Sequence, residues 1–234
     1  MSAQTASFSV DRDVRLAARA LARHALVHAY GHVSGRIDGA RFVVTPAHPL
    51  MRIALTTRLV ICAIDGPLPE GALPEVRMHQ AIYRSRSEVF GICRFQSPSV
   101  VALSALRRTP RALHGLGAYF APHPPLWDDP LLVRDHDRAH AVAEALADAR
   151  AIVLRGNGAI TVGTSPREAA CHAFFLEDAA RIELSVLATG SEGTPYTLEE
   201  SKRRGSGDRQ LYDRMWDYLL GDDAASILTE EMQS

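Results

Sequence analysis

Residues 151–162 read Ala-Ile-Val-Leu-Arg-Gly-Asn-Gly-Ala-Ile-Thr-Val. Two apolar runs, 151–154 and 159–162, flank the turn Arg155-Gly156-Asn157-Gly158. The pattern predicts a strand, a tight turn and a second strand. Strands joined this closely pair antiparallel, because a parallel pair needs a crossover of a dozen residues or more. No Gly-x-Gly-x-x-Gly separates a strand from a helix anywhere in the chain. A doubly wound dinucleotide-binding fold is therefore disfavoured.

On the C-terminal side, Ser165-Pro166-Arg167-Glu168 combines a capping box with proline at the first helical position. The helix it opens is expected to run to Thr189 and stop at Gly190. Residues 191–207 are polar and glycine-rich and read as a linker. A last helix carries Leu211, Met215 and Leu219 on one stripe, with Tyr212 and Trp216 beside it. It is expected to pack on this subunit or on a neighbour. The division is a domain over 1–190 and a linker with a packing helix over 191–234.

On the N-terminal side, Asp135 caps a helix to about Ala149. Residues 107–134 are rich in proline and aromatics. A short strand is expected near 117–121, then a loop through His123-Pro124-Pro125. Ser97-Pro98 reads as an N-cap and a first helical position, after a strand over 89–95. Pro74 opens a helix to about Arg86. Strands are expected over 41–45 and 59–64, and a helix over 14–30 that Gly31 ends. Helices and strands alternate, yet several strands follow one another directly. The fold class is α/β with a mixed, mainly antiparallel sheet.

Composition removes several functions. Lys202 is the single lysine among 26 Lys+Arg residues. It sits in Ser-Lys-Arg-Arg-Gly-Ser-Gly, which reads as a solvated turn or linker, so Schiff-base chemistry is disfavoured, and no Gly-Lys-Ser/Thr exists for a phosphate loop. Net charge is −1, which leaves no footprint for nucleic acid. No apolar run is long enough to span a membrane. The N-terminus lacks a signal-peptide pattern, and Cys62, Cys93 and Cys171 form no Cys-x-x-Cys pair; a cytoplasmic location with reduced thiols is expected. Ten histidines point towards metal or acid/base chemistry.

Six segments then line up in order: Gly31-His32-Val33-Ser34-Gly35-Arg36; Val43-Val44-Thr45-Pro46; Pro74-Glu75 with His79; Ile92-Cys93-Arg94-Phe95-Gln96-Ser97-Pro98; Leu154-Arg155-Gly156-Asn157-Gly158; and Leu176-Glu177 in the long helix. This series resembles the class II aldolase/adducin family over residues 12–190. The Gly-His-Val-Ser variant is most similar to the branch containing decarboxylases of hydroxylated aromatic or keto acids. The resemblance implies a single three-layer domain, with the sheet between helices, and a homotetramer with sites at subunit interfaces. It also implies a divalent metal on three histidines that stabilises an enolate, with a nearby glutamate for proton transfer.

The three positions matching those histidines hold Arg94, Gln96 and Asn157. Arginine cannot coordinate a cation, and the two amides are poor zinc ligands. No metal and no other cofactor is therefore expected. Arg94 can grip a carboxylate or enolate, and the amides of Gln96 and Asn157 can donate to an oxyanion. Glu75 keeps the glutamate position. The substrate-binding set adds His32, Ser34, Thr45, His79 and His123. By resemblance, the turn with His32 and Ser34 and the Thr45-Pro46 segment hold the substrate's polar end. His79, four residues after Glu75, shares its helix face and orients it or touches substrate.

Blander readings stand beside each of these. Glu75 and His79 fit a solvated pair, Arg94 fits a salt-bridged strand residue, and His32 to Gly35 fit a helix-terminating turn. His48, His114 and His123 lie in loops from which a metal site could be rebuilt. His24, His28, His136, His140 and His172 read as surface or structural. The expected activity is a metal-independent lyase, decarboxylating or cleaving a small oxygenated carboxylic acid. The alternatives are a non-catalytic scaffold or partner subunit, and a metal-free dehydratase or isomerase in the same pocket.

Overall fold

A computed structural model describes residues 3–205, 209–221 and 223. The expected linker and packing region over 191–234 therefore lies partly outside the described residues. The chain opens with α1 (Ala3–Arg23), followed by β1 (His32–Arg36), β2 (Arg41–Val44) and β3 (Val60–Ala63). Then come α2 (Arg77–Ser85), β4 (Gly91–Phe95), α3 (Pro98–Ala105), β5 (Leu126–Trp127) and α4 (His136–Leu146). The order closes with β6 (Ala151–Leu154), β7 (Gly158–Gly163), α5 (Pro166–Leu187), α6 (Leu198–Arg204) and α7 (Arg209–Leu220).

Among the described residues, seven strands form one sheet in the order β3-β2-β1-β4-β7-β6-β5. Every neighbour pair is antiparallel except β5 with β6. The expected 151–162 hairpin is present, with Leu154 opposite Gly158. The central strands β1, β4, β6 and β7 are buried on both faces because helices cover both, whereas the edge strand β3 leaves Ile61 exposed. Val33, Cys93, Phe95 and Val153 pack with α1, α3, α5 and α7. Phe42, Ile92, Ile152 and Ile160 pack with α2 and α4. The alternation along β4 assigns Arg94 to the α2 face with Ile92, two residues away.

Four expectations change. Residues 117–120 form a short 3-10 turn, not a strand. Its buried Tyr119 packs on Phe175 of α5, so burial rather than a ladder holds it. Residues 32–36 form a central strand, not a turn; α1 stops at Arg23, and Ala25 takes a left-handed φ of 55°. The expected linker contains α6, started by a capping box between Thr197 and Glu200. Ser97 makes no side-chain cap; instead Glu177 of α5 accepts from the backbone N–H groups of Ser99 and Val100 at 3.0–3.1 Å. A negative charge at that end also complements the helix dipole.

The last helix packs on its own chain. Trp216, Leu219 and Leu220 join the core formed by α1 and α5. Asp223 ties it down through ion pairs to Arg19 at 2.7 Å and Arg23 at 2.9 Å. No helix among the described residues is long and apolar enough to cross a membrane.

Candidate active site

The hairpin turn delivers Asn157. Gly156 and Gly158 adopt φ values of +67° and +82°, which suit glycine. A Cβ on Gly158 would sit 1.9 Å from the Phe95 carbonyl oxygen. That close approach sets the Asn157 side chain against β4. Its Oδ1 accepts from Arg94 Nη2 at 2.6 Å and also from Gln96 Nε2. Arg94, 4% exposed, is thus clamped through one amino group, while its Nε has no partner among the described residues.

Beside it lies a pocket of about 620 Å³. Its polar wall is His32, Glu75, Arg94, Gln96 and Arg134, and Tyr30 and Leu132 supply an apolar side. Arg134 Nε donates to Glu75 Oε1 at 2.8 Å. His32 stands directly across the β1–β4 ladder from Arg94. Behind His32 runs a buried chain of polar groups: His32 Nδ1 lies 2.7 Å from His79 Nε2, His79 Nδ1 lies 2.6 Å from Ser34 Oγ, and Ser34 Oγ lies 2.8 Å from the Tyr83 hydroxyl. His32 Nε2 has no partner among the described residues. A buried polar group left unpaired costs about 1–3 kcal/mol, so an incoming ligand that pairs it regains that cost.

The electrostatics follow from burial. Loss of water pushes the His79 imidazole down to about 3, and the Arg94 charge adds to the effect. His32 is held well below the ordinary imidazole value, first by burial and then by His79 and Arg94. Both rings are neutral at pH 7. Burial lowers Arg94 to about 10, opposed by Glu75, so it stays charged. The pocket therefore sets one buried cation and uncharged polar groups beside a carboxylate already paired to Arg134.

Glu75, Arg94, Gln96 and His32 meet at the pocket, with Asn157 behind Arg94. Four residues of the expected set do otherwise. Ser34 and His79 stand behind His32 and do not line the pocket; His79 bonds His32 and Ser34 rather than Glu75. Thr45 is spent inside the sheet, its Oγ1 accepting from Val33 N–H at 3.2 Å. His123 faces Thr109 and the Pro124 carbonyl, away from the pocket. The expected amide donors are also partly used: Gln96 gives its N–H to Asn157, and Asn157 acts as an acceptor. Sequence reasoning missed Tyr83 and Arg134. Tyr83 was accessible, since it follows His79 by four residues on one helix. Arg134 comes from a distant loop, and no local pattern marks it.

A metal ion does not fit this donor set. Arg94 and Gln96 both turn N–H groups towards the Asn157 oxygen. Among the described residues, no three His, Cys, Asp or Glu side chains cluster closely enough to hold an ion.

The fold and site define an α/β domain with a polar pocket around a buried arginine at the ends of its central strands. Residues 12–184 match the family model described as Class II Aldolase and Adducin N-terminal domain. The chain belongs to that family. It is 30% identical over 185 residues to a 3,4-dihydroxyphthalate decarboxylase of Terrabacter sp. (strain DBF63), covering 73% of this chain and 77% of the relative. A protein of the same name from Arthrobacter keyseri is 26% identical over 196 residues, covering 76% and 78%. Among solved structures, the L-fuculose 1-phosphate aldolase from Glaciozyma antarctica PI12 superposes with a TM-score of 0.82. It is 21% identical, over 98% of this chain and 93% of that one. That likeness bears on the fold alone.

Proposed function

We propose that this protein is a lyase that breaks a carbon–carbon bond of a small oxygenated carboxylic acid without a metal ion. Membership of the family, and relatives named as decarboxylases, support the lyase class. The observation that carries the metal-free reading is Arg94, a buried and charged guanidinium where the resemblance places the first metal-binding histidine. It replaces a cation with a cation. Unlike a metal, it offers directed N–H donors rather than open coordination sites.

In a decarboxylation, the bond between the carboxylate and its carbon breaks and CO2 leaves. The electron pair passes to a conjugated oxygen as an enolate. Arg94 balances that charge in a site shielded from water, where a fixed donor counts for most. The Glu75 carboxylate takes the proton of a substrate hydroxyl group and hands it to the carbon that loses CO2, so that no outside proton is needed for the cleavage. Arg134 holds the Glu75 carboxylate in place. Asn157 and Gln96 fix the Arg94 plane rather than the substrate. Retro-aldol cleavage passes through the same enolate and uses the same groups. Tyr30 and Leu132, both exposed apolar side chains at the pocket, suit an interface that a homotetramer would cover.

The relatives' names make 3,4-dihydroxyphthalate the first compound to test. Incubation with the purified protein should release one CO2 per molecule consumed. Binding without turnover, for this and other hydroxylated carboxylates, would favour the scaffold reading instead.

A further inference from the structure

The buried chain behind His32 has a direction. Tyr83 is fully buried, and burial raises its hydroxyl well above the ordinary phenol range, so it keeps its proton. The only hydrogen-bond partner of that hydroxyl among the described residues is Ser34 Oγ. The phenol must therefore donate to Ser34. Ser34 then turns its own proton to its other neighbour, His79 Nδ1. With Nδ1 accepting, neutral His79 carries its proton on Nε2 and donates to His32 Nδ1. Neutral His32 is left with its proton on Nε2. The opposite direction would leave the Tyr83 proton buried with nothing to receive it.

We infer that Tyr83, Ser34 and His79 are positioning residues that lock His32 as the Nε2–H tautomer, a fixed donor beside Arg94. The locked ring cannot act as a base through Nε2. It offers a hydrogen bond to one oxygen of the same anion whose charge Arg94 balances, a carboxylate or enolate oxygen of an organic acid. The unpaired His32 Nε2 and the unpaired Arg94 Nε are the two donors that such a ligand would satisfy. This role in binding rests on the anion-binding reading of the pocket, whereas the tautomer stands on the hydrogen-bond chain alone.

The test is an imidazole 15N–1H correlation spectrum of the full chain at neutral pH, with no ligand. His32→Gln and His79→Gln variants assign the signals. Both rings should show the Nε2–H pattern. A His32 signal of the Nδ1–H or doubly protonated type would overturn the inference. Ser34→Ala cuts the chain and should leave His32 as a mixture of tautomers. With half the molecules in the competent form, 3,4-dihydroxyphthalate binding should weaken about twofold. Ser34→Thr keeps a hydroxyl and should restore the single tautomer. A Ser34→Ala spectrum still wholly Nε2–H would overturn the positioning role. If the alanine variant does not fold, the wild-type spectrum still decides the tautomer. Failure of the wild type to bind 3,4-dihydroxyphthalate would count against the substrate reading, and the spectrum distinguishes that failure from a wrong tautomer.

Discussion

The two faces of the sheet each bury histidine, and they use it differently. On the α5 face, His172 is 1% exposed and both ring nitrogens are engaged, Nδ1 with the Val162 carbonyl and Nε2 with the Tyr212 hydroxyl, each at 2.8 Å. On the α2 face, His79 is equally engaged, but its neighbour His32, which lines a pocket, keeps one nitrogen without a partner among the described residues. Burial lowers His172 to about 4 and His79 to about 3, so a depressed imidazole alone does not separate structure from function. What separates them is the unmet hydrogen-bonding capacity and its place beside Arg94. In the α5 cluster both His172 nitrogens are paired; the α2 cluster ends on a ring nitrogen with no partner among the described residues.

The strongest way to break this contrast is Arg94→Ala. Loss of the charge-balancing donor should cut turnover of the true substrate at least about 100-fold, the scale of removing an oxyanion-stabilising group. A steady-state assay showing full activity in that variant would refute the assigned role. On the opposite face, His172→Phe should cost stability instead. It leaves the Tyr212 hydroxyl and the Val162 carbonyl without their partner, about 1–3 kcal/mol in a urea titration. Activity per folded molecule should not change.

Acid should treat the two faces alike. Both His79 and His172 have folded values below the ordinary imidazole value of 6.5. The unfolded chain then binds more protons below that value, and stability rises with pH. The contribution is complete above about pH 6.5 and falls as pH drops towards about 4. Each ring gives a slope of at most about 1.4 kcal/mol per pH unit. Melting temperatures from pH 7 to 4.5 should follow that decline, less steeply in His172→Phe. The smallest effect belongs to His123→Ala: its ring lies away from the pocket, so KM and kcat should match the wild type.

Much of the fold was legible because its signals are local. The 151–162 hairpin, the Ser165-Pro166 helix start and the Asp135 cap all read directly from residue type and spacing. The 3-10 turn at 117–120 did not, since tertiary burial of Tyr119 and Phe120 outweighs their strand preference. Strand β1 was hidden because Gly31 and Gly35 imitate a turn. Gly35 instead allows close packing, as a Cβ there would lie 2.6 Å from Val10. In the site, Glu75, Arg94 and Gln96 were found through the resemblance. His32 and Ser34 were read as part of a turn, whereas they lie on a strand and in a buried hydrogen-bond chain, with His32 also lining the pocket. Thr45 and His123 illustrate the limit, because direction along a strand or loop is set by partners that sequence does not reveal.

In the proposed reaction a guanidinium stands in for a metal. The direct measurement is CO2 release from 3,4-dihydroxyphthalate before and after exhaustive chelation, with metal content determined on the same sample. Undiminished activity in protein holding far less than one metal ion per chain is the expected result. Activity lost on chelation and restored by zinc or manganese would contradict the account.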